Sequence, residues 1–388
     1  MFIYNIIPKE LYSYIRNYIN ELETKIDKVY VYVDVQNHSA AFTDEGIDLY
    51  TNGSTFKDLF NEILYHITSI TKNFKEIGLA SHVFLYTDRH RNLFNSNMLS
   101  DWKLSRKKEL SEFPNMSEKD YLERDSNVYM NKFIKTGLKA LSHLTNITYN
   151  ASIVVLENMD SDFFPALIIN KTKSKDNILH ILVSNDHDYI HLIDNPNIVR
   201  YSRSYKRYYE NYPLLETVYN RSLFLKKSLD IKDTDTAKFI ANYYQIFHAL
   251  SGDQTDDIKP LVPKMSYKTW AKKLKFNDPV YDVIDKIINN DIQIENVNNE
   301  DILARLVIFD FNITSELILG LLDESKLTER SKKIMNFLIS KYPQNVVILK
   351  TNCKILEENI FNQRYMIDDC EYILDSFAIR RDYKFYLW

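Results

Sequence analysis

Eight aspartates are spaced so that one fold could gather them: Asp34, Asp88, Asp160, Asp162, Asp186, Asp188, Asp253 and Asp256. The first six close an apolar run or shortly follow one. Asp253 and Asp256 stand in Ser251-Gly252-Asp253-Gln254-Thr255-Asp256-Asp257, a turn before Pro260. Carboxylates gathered in this way repel one another, and without counter-charge their pKa values rise or the site opens. Hard divalent cations remove the conflict. Mg²⁺ prefers oxygen ligands and is held by a few carboxylates together with waters and substrate phosphate. Two such ions about 3.5–4 Å apart activate a water and stabilise a leaving oxygen. One Asp at one strand end is ordinarily a turn or helix cap. Four strand ends that all carry Asp point instead to a site.

A basic segment follows the second of these runs: Asp101-Trp102-Lys103-Leu104-Ser105-Arg106-Lys107-Lys108. On a helix, Lys103, Arg106 and Lys107 would share one face at i, i+3 and i+4, with Lys108 beside them. Such a face can hold a scissile phosphate and steer a single-stranded end, with the Arg fork gripping phosphate oxygens. Alone, a basic helix face is more often simply solvated. Beside the acidic set it is the expected complement, since the carboxylates by themselves would repel a polyanion. A second stretch, Arg200 to Arg207, mixes Tyr with cations and is a secondary candidate for a nucleic-acid contact, the solvated surface being the more ordinary reading.

The elements that must position these residues are legible as periodicities. Residues 9–27 form an amphipathic helix. KVYVYVD ends at Asp34 as a β-branched and aromatic strand, and HVFLYTD ends at Asp88 as another. SIVVLEN (152–158), with Glu157 inside it, and ILHILVSND (178–186) are two more. Phe56, Leu59, Phe60, Ile63, Leu64, Ile67 and Ile70 recur at helical spacing over 55–76. Residues 98–112 and 127–145 are helical in propensity. Alternating strands and helices imply βαβ units and a parallel sheet, and near-continuous apolar strands fit a sheet covered on both faces. The fold class is therefore α/β. In such sheets ligands bind beyond the carboxyl ends of the strands, where six of the aspartates would converge. After about residue 230 the pattern is mostly helical. RLVIFDFN (305–312) is a short strand or a buried segment, and Asn296–Glu300 is the best candidate for a flexible break.

Composition excludes several classes. With 6 Gly in 388 residues, no glycine-rich phosphate loop is present. A net charge of −4 rules out a passive nucleic-acid coat, although basic patches and an acidic centre can cancel in the sum. Cys353 and Cys370 form neither a CxxC pair nor a disulfide framework, which suits a reducing cytoplasm. The N-terminus lacks the features of a secretory signal, and no run of about 18 apolar residues suggests a membrane span. The 9 His residues show no HExxH spacing. His187 sits between Asp186 and Asp188 with its side chain expected to point away, outside the metal set.

Taken together, VYVDVQN, FLYTDRH, WKLSR, DSDF, SNDHD and GDQTDDI resemble, in order, the motifs of the flap endonuclease and 5′→3′ exonuclease family, closest to its bacteriophage RNase H branch. The resemblance spans about residues 28–270, and RLVIFDFNITSELILGLLD extends it to about 342. It implies a PIN-like nuclease core with a helical arch and a mostly helical C-terminal half. Asp34, Asp88, Asp160 and Asp162 would serve the first Mg²⁺, and Asp186, Asp188, Asp253 and Asp256 the second, with Mn²⁺ able to substitute. Lys103 and Arg106 would form the catalytic clamp, and Ser184 would orient the S-x-D-x-D turn. Asp160 stands where the family has Glu, Phe163 where it has Asp, and Asp257 where it has Asn. The glycine-rich helix–three-turn–helix becomes PLVPKMSYKTW (260–270), in which Lys268 and Thr269 remain and Lys264, Lys272 and Lys273 add side-chain charge. The resemblance implies a K⁺ ion at that turn, though the family's glycines are absent there.

The expected organisation is a metal-dependent core over 1–230 with its arch at about 98–126, a helical DNA-binding region over 231–342 and an extension over 343–388. The expected activity is a structure-specific 5′ nuclease acting on 5′ flaps, nicks or RNA–DNA hybrids in phage-type replication or repair. It would be monomeric, with a single-strand-binding protein as a partner by analogy. A PIN-like RNA endonuclease and a catalytically decayed branched-DNA-binding protein are the alternatives.

Overall fold

The computed structural model describes residues 6–35, 56–88, 92–103, 150–202 and 213–361. In chain order, helix α1 (Lys9–Glu21) leads into β1 (Lys28–Asp34), α2 (Phe56–Glu76) into β2 (Ala80–Asp88), and α3 (Leu93–Met98) precedes β3 (Ala151–Leu156). Then come α4 (Phe164–Thr172), β4 (Ile178–Val183), a 3₁₀ turn (His187–Leu192) and β5 (Ile198–Tyr201). The sheet order is β3-β2-β1-β4-β5, and every pairing is parallel. All these strands therefore present their carboxyl ends at one edge.

Side chains alternate across a strand, and here the alternation sorts the core in two. Val31, Val33, Val83, Leu85, Ile153, Ile181 and Val199 pack with Leu11 and Ile15 of α1 and Ile67, Ile70 and Phe74 of α2. Tyr32, Phe84, Tyr86, Val154, Leu156, Leu182 and Ile198 face the helices that follow the sheet. Those helices are α5 (Arg221–Ser228), α6 (Thr234–Asn242), α7 (Tyr244–Ser251), α8 (Tyr267–Lys273), α9 (Val280–Ile288), α10 (Asn299–Phe309), α11 (Phe311–Leu322), α12 (Glu329–Lys341) and α13 (Pro343–Leu356). By the same alternation Asp34 continues the row of Tyr32. Asp88 continues the row of Tyr86, which pairs with Asp34 in register. Both strand-end aspartates thus turn toward the helical half.

RLVIFDFN is neither a strand nor a continuous helix. It is the junction of α10 and α11, and its apolar run reflects burial on all sides. Asp310 breaks the two apart in extended geometry, and its Oδ1 caps α11 by accepting from Asn312 N at 3.0 Å. Burial, reinforced by Glu316, raises the Asp310 carboxyl from 3.8 to about 7. A carboxyl raised in this way makes the folded state progressively less stable as pH climbs from about 4 to about 7. Asp310→Asn keeps the cap and cannot ionise. Thermal denaturation of this variant is expected to lose most of that decline and to match or exceed the parent at pH 8. A variant less stable than the parent at every pH would show that the ionised group is held favourably.

Asn296–Glu300 is not a loose break. Asn298 caps α10, and the Asn299 amide donates to Ile287 O at 3.0 Å and Asn290 Oδ1 at 2.9 Å. The first helix stops at Glu21, short of the expected 27. Among the described residues no helix is long and apolar enough to cross a membrane.

Candidate functional site

Strand β1 delivers Asp34 at its last position, 2 % exposed. The turn after β4 closes onto it. The Ser184 hydroxyl donates to Asp34 Oδ2 at 3.3 Å and accepts from Asp186 N at 3.1 Å. Asp186 Oδ1 in turn accepts from Asp188 N at 2.9 Å, capping the 3₁₀ turn. Ser184 therefore sets the turn that presents Asp186 and Asp188. Behind it, Arg200 on β5 is 1 % exposed, donates to the Asp186 carbonyl and pairs with buried Glu216 at 2.5 Å. In the sequence Arg200 opens a basic stretch that is a candidate nucleic-acid contact. Its position on β5 buries it, and it acts as an internal brace. Residues 203–207 of that stretch lie outside the described residues.

Asp160 and Asp162 follow β3 across the sheet. Asp160 Oδ1 accepts from Asp162 N at 3.3 Å, and Asn92 donates to its Oδ2 at 3.3 Å while its own oxygen caps α3. The Tyr189 hydroxyl donates to Asp162 Oδ1 at 3.1 Å and lies 2.7 Å from the Tyr86 hydroxyl. Phe163, which stands where an acid was expected, is 2 % exposed and belongs to the core beneath α4.

The remaining acids arrive from the helical half. Helix α7 ends at Gly252, with φ +68°. A Cβ there would sit 2.3 Å from the Ile258 carbonyl oxygen and 2.6 Å from that of Lys259. Only glycine combines that backbone with so close an approach. Gly252→Ala is expected to destabilise the fold by about 1–3 kcal/mol, read as a lowered denaturation midpoint. An unchanged midpoint would show that the turn re-forms without strain. Beyond it, Asp253 Oδ1 accepts from Thr255 N and Oγ1, both at 2.7 Å. Lys103 meets the same turn twice: its backbone N–H donates to the Asp256 carbonyl at 2.8 Å, and its Nζ lies 3.5 Å from Asp256 Oδ1. That ammonium also lies 4.7 Å from the Trp102 ring centroid.

Asp34, Asp160, Asp162, Asp186, Asp188, Asp253 and Asp256 thus form one electrostatic group. Burial first, then Asp160, Asp34 and Asp186, push the Asp162 carboxyl well above the usual range. Burial first, then Asp186, Asp253 and Asp256, do the same to Asp188. Asp186 is also raised, chiefly by burial, though the Asp188 N–H and Arg200 hold it down. Asp88 ends β2 on the same edge and face. Among the described residues, Lys103 and Arg200 cannot by themselves balance this set, and Arg200 is engaged by Glu216. A cluster made mainly of carboxylate oxygens and short of positive charge fits divalent cations. The side chains of Asp188 and Asp253 are 20% and 21% exposed, which leaves the cluster reachable from solvent.

The basic set is only partly gathered. Lys103 itself is not helical: α3 ends at Met98, and Lys103 takes a left-handed turn, φ 47°. Arg106, Lys107 and Lys108 lie outside the described residues. Lys264 is exposed in a turn with φ 65°. Lys268 lies 3.8 Å from Asp230, and Thr269 sits in the Ser266 cap of α8, its hydroxyl 3.1 Å from that of Ser266. The chain runs helix, turns and helix over α7 and α8, with positive φ at Asp257 and Lys264.

Several residues of the site escaped the motif reading. Tyr244 donates to Asp188 Oδ1 at 3.3 Å. His191 Nδ1 lies 2.5 Å from the Asp188 carbonyl, while its Nε2 accepts from Phe311 N at 3.2 Å. With Nε2 accepting, the proton is on Nδ1, so His191 ties the acidic turn to the α10–α11 junction. His248 reaches the acids from α7, with Nδ1 3.5 Å from Asp188 Oδ1 and Nε2 3.9 Å from Asp253 Oδ2. Tyr86 could have been found by alternation from Asp88. Nothing local marks His248 or Tyr244, because their partner Asp188 is remote in sequence.

No protein-family model matches the sequence, and no curated protein matches it. Solved structures do match. A bacteriophage T5 flap endonuclease, in a pseudo-enzyme–product complex with DNA and metal ions, aligns over 80% of this chain and 98% of its own, with a TM-score of 0.50 at 14% identity. The T5 5′-exonuclease with bound zinc aligns over 80% and 99%, at 0.49 and 14%. The fold is shared: a PIN-like parallel sheet flanked by helices, with a mostly helical C-terminal half.

Proposed function

We propose that this chain is a divalent-metal-dependent 5′ nuclease that hydrolyses phosphodiesters at 5′ flaps, nicks or RNA–DNA hybrids in DNA replication or repair. The observation that carries this reading is the convergence of acids from β1, the turns after β3 and β4, and the end of α7 on one sheet edge. The shared fold with a flap endonuclease that binds DNA and metal ions supports it. Asp34, Asp88, Asp160 and Asp162 would hold one Mg²⁺, and Asp186, Asp188, Asp253 and Asp256 a second. When bound, the ions would activate a water and screen the charge building on the phosphate.

The chain's own groups do the rest. Ser184 and Asn92 aim carboxylates, and Tyr189 holds Asp162 through its hydroxyl. The Lys103 ammonium at the acidic rim would meet a phosphate oxygen and orient the scissile bond, with Arg106, Lys107 and Lys108 tracking the strand beyond it. Lys264, Lys268 and Thr269 would contact the duplex, Lys268 leaving Asp230 to do so. The division into a core over 1–230, a duplex-binding region over 231–342 and an extension over 343–388 belongs to the same proposal, as does docking of a replication single-strand-binding protein.

The test is a 5′-labelled flap, a nicked duplex and an RNA–DNA hybrid incubated with the full chain and Mg²⁺ or Mn²⁺. Short 5′ products that vanish with EDTA are expected. Intact DNA and hybrid under both ions would refute the proposal, and cleavage of single-stranded RNA alone would make the chain a PIN-like ribonuclease.

A further inference from the structure

The helix bringing Asp253 to the site also brings an imidazole. His248, in the last turn of α7, is 2 % exposed. Its ring stacks on Phe309, with centroids 4.0 Å apart and planes 20° apart, which fixes its plane. Nδ1 is fully buried and makes no hydrogen bond, although it faces Asp188 Oδ1 at 3.5 Å. Nε2 faces Asp253 Oδ2 at 3.9 Å. One donor atom from each of Asp188, His248 and Asp253 falls within 4.8 Å of the others. Two donors each about 2.1 Å from one ion stand about 3–4 Å apart, so the 3.5 Å between Nδ1 and Asp188 Oδ1 matches a shared cation better than a direct hydrogen bond, and the Asp253 carboxylate is the third donor of the same group. A buried imidazole nitrogen left without a partner is costly, and a metal would satisfy it.

We propose that His248 supplies a nitrogen ligand to a divalent cation held with Asp188 and Asp253, tilting this position toward Mn²⁺ or another transition ion over Mg²⁺. The second-ion assignment of Asp188 and Asp253 is part of the nuclease reading, and the proposal rests on that much of it. Imidazole is a softer donor than carboxylate or water. Replacing one oxygen with it favours first-row transition ions, whereas Mg²⁺ gains little from nitrogen.

The experiment is pulsed electron paramagnetic resonance of the full chain loaded with Mn²⁺, together with calorimetric titration of Mn²⁺ and Mg²⁺. Echo modulation from a directly bound ¹⁴N is expected, and His248→Phe, which keeps the stack on Phe309, is expected to remove it. Mn²⁺ binding should weaken at least about tenfold in that variant, with Mg²⁺ binding changed less. His248→Asn is the second variant, keeping a polar group in place should Phe fail to fold. It too should lose the imidazole signal. No nitrogen modulation in the parent, or modulation that survives both substitutions, would overturn the proposal. Nitrogen modulation without cleavage of any substrate leaves the ligand assignment standing and removes the nuclease reading. Cleavage with Mg²⁺, alongside an Mn²⁺ spectrum unaltered by His248→Asn, does the reverse.

Discussion

Asp186→Asn is expected to abolish cleavage, lowering the single-turnover rate on the order of 10³-fold, as when a preorganised charge-stabilising group is removed from an active site. The residue stands at the centre of the acidic group, its carboxyl sensing Asp160, Asp253, Arg200 and the Asp188 N–H. Asn is isosteric, and its amide oxygen can still accept from Asp188 N, so the turn after β4 survives. The Arg200 brace binds the Asp186 carbonyl, which the substitution leaves untouched. Removing one of several repelling acids relieves the metal-free fold, so the denaturation midpoint should hold or rise. Binding of a 5′-flap substrate, read by fluorescence anisotropy, should also stay within a few-fold of the parent. A variant that cuts within about twofold of the parent rate would remove Asp186 from the metal set.

Lys103→Ala is expected to slow single-turnover cleavage on the order of 10²-fold while shifting the denaturation midpoint little. The two readouts separate because Lys103 makes two kinds of contact. Its backbone N–H to the Asp256 carbonyl survives the substitution. Its ammonium, with the side chain 31% exposed, loses a solvent-screened pair with Asp256 and its contact with the Trp102 ring, each contributing about 0–1 kcal/mol at such exposure. A phosphate oxygen arriving at the acidic rim would lose the contact with this ammonium. Lys103→Arg should recover part of the rate, since its fork also binds phosphate. An unchanged rate, or a midpoint that falls as steeply as the rate, would make Lys103 a structural tether of the Gly252–Asp256 turn.

Strand ends were readable because they are local. A short, near-continuous β-branched and aromatic run reads as a strand covered on both faces, and acids at its close or in the turn just past it lie at the sheet edge. Asp34, Asp88, Asp160, Asp162, Asp186 and Asp188 follow from that alone. The α/β class follows equally, because apolar strands separated by amphipathic helices leave few arrangements other than a covered parallel sheet. Helix boundaries and the junction at Asp310 were less legible. There a helix is buried all round and its hydrophobic period disappears, so RLVIFDFN reads alike as strand or buried helix.

The sequence by itself determined which carboxylates this protein can offer and the edge at which the sheet offers them. The tertiary structure alone decided which further groups meet them. His248 and Asp253 share one helix end, yet only the packing of α7 against the turn after β4 sets the imidazole between Asp188 and Asp253. Lys103 and Arg200 both look like solvated cations in a charged run. A left-handed turn places one over Asp256, and a buried strand places the other against Glu216. Local periodicity says which way a side chain leaves its own element. Which side chain of a distant element it meets depends on how the elements pack.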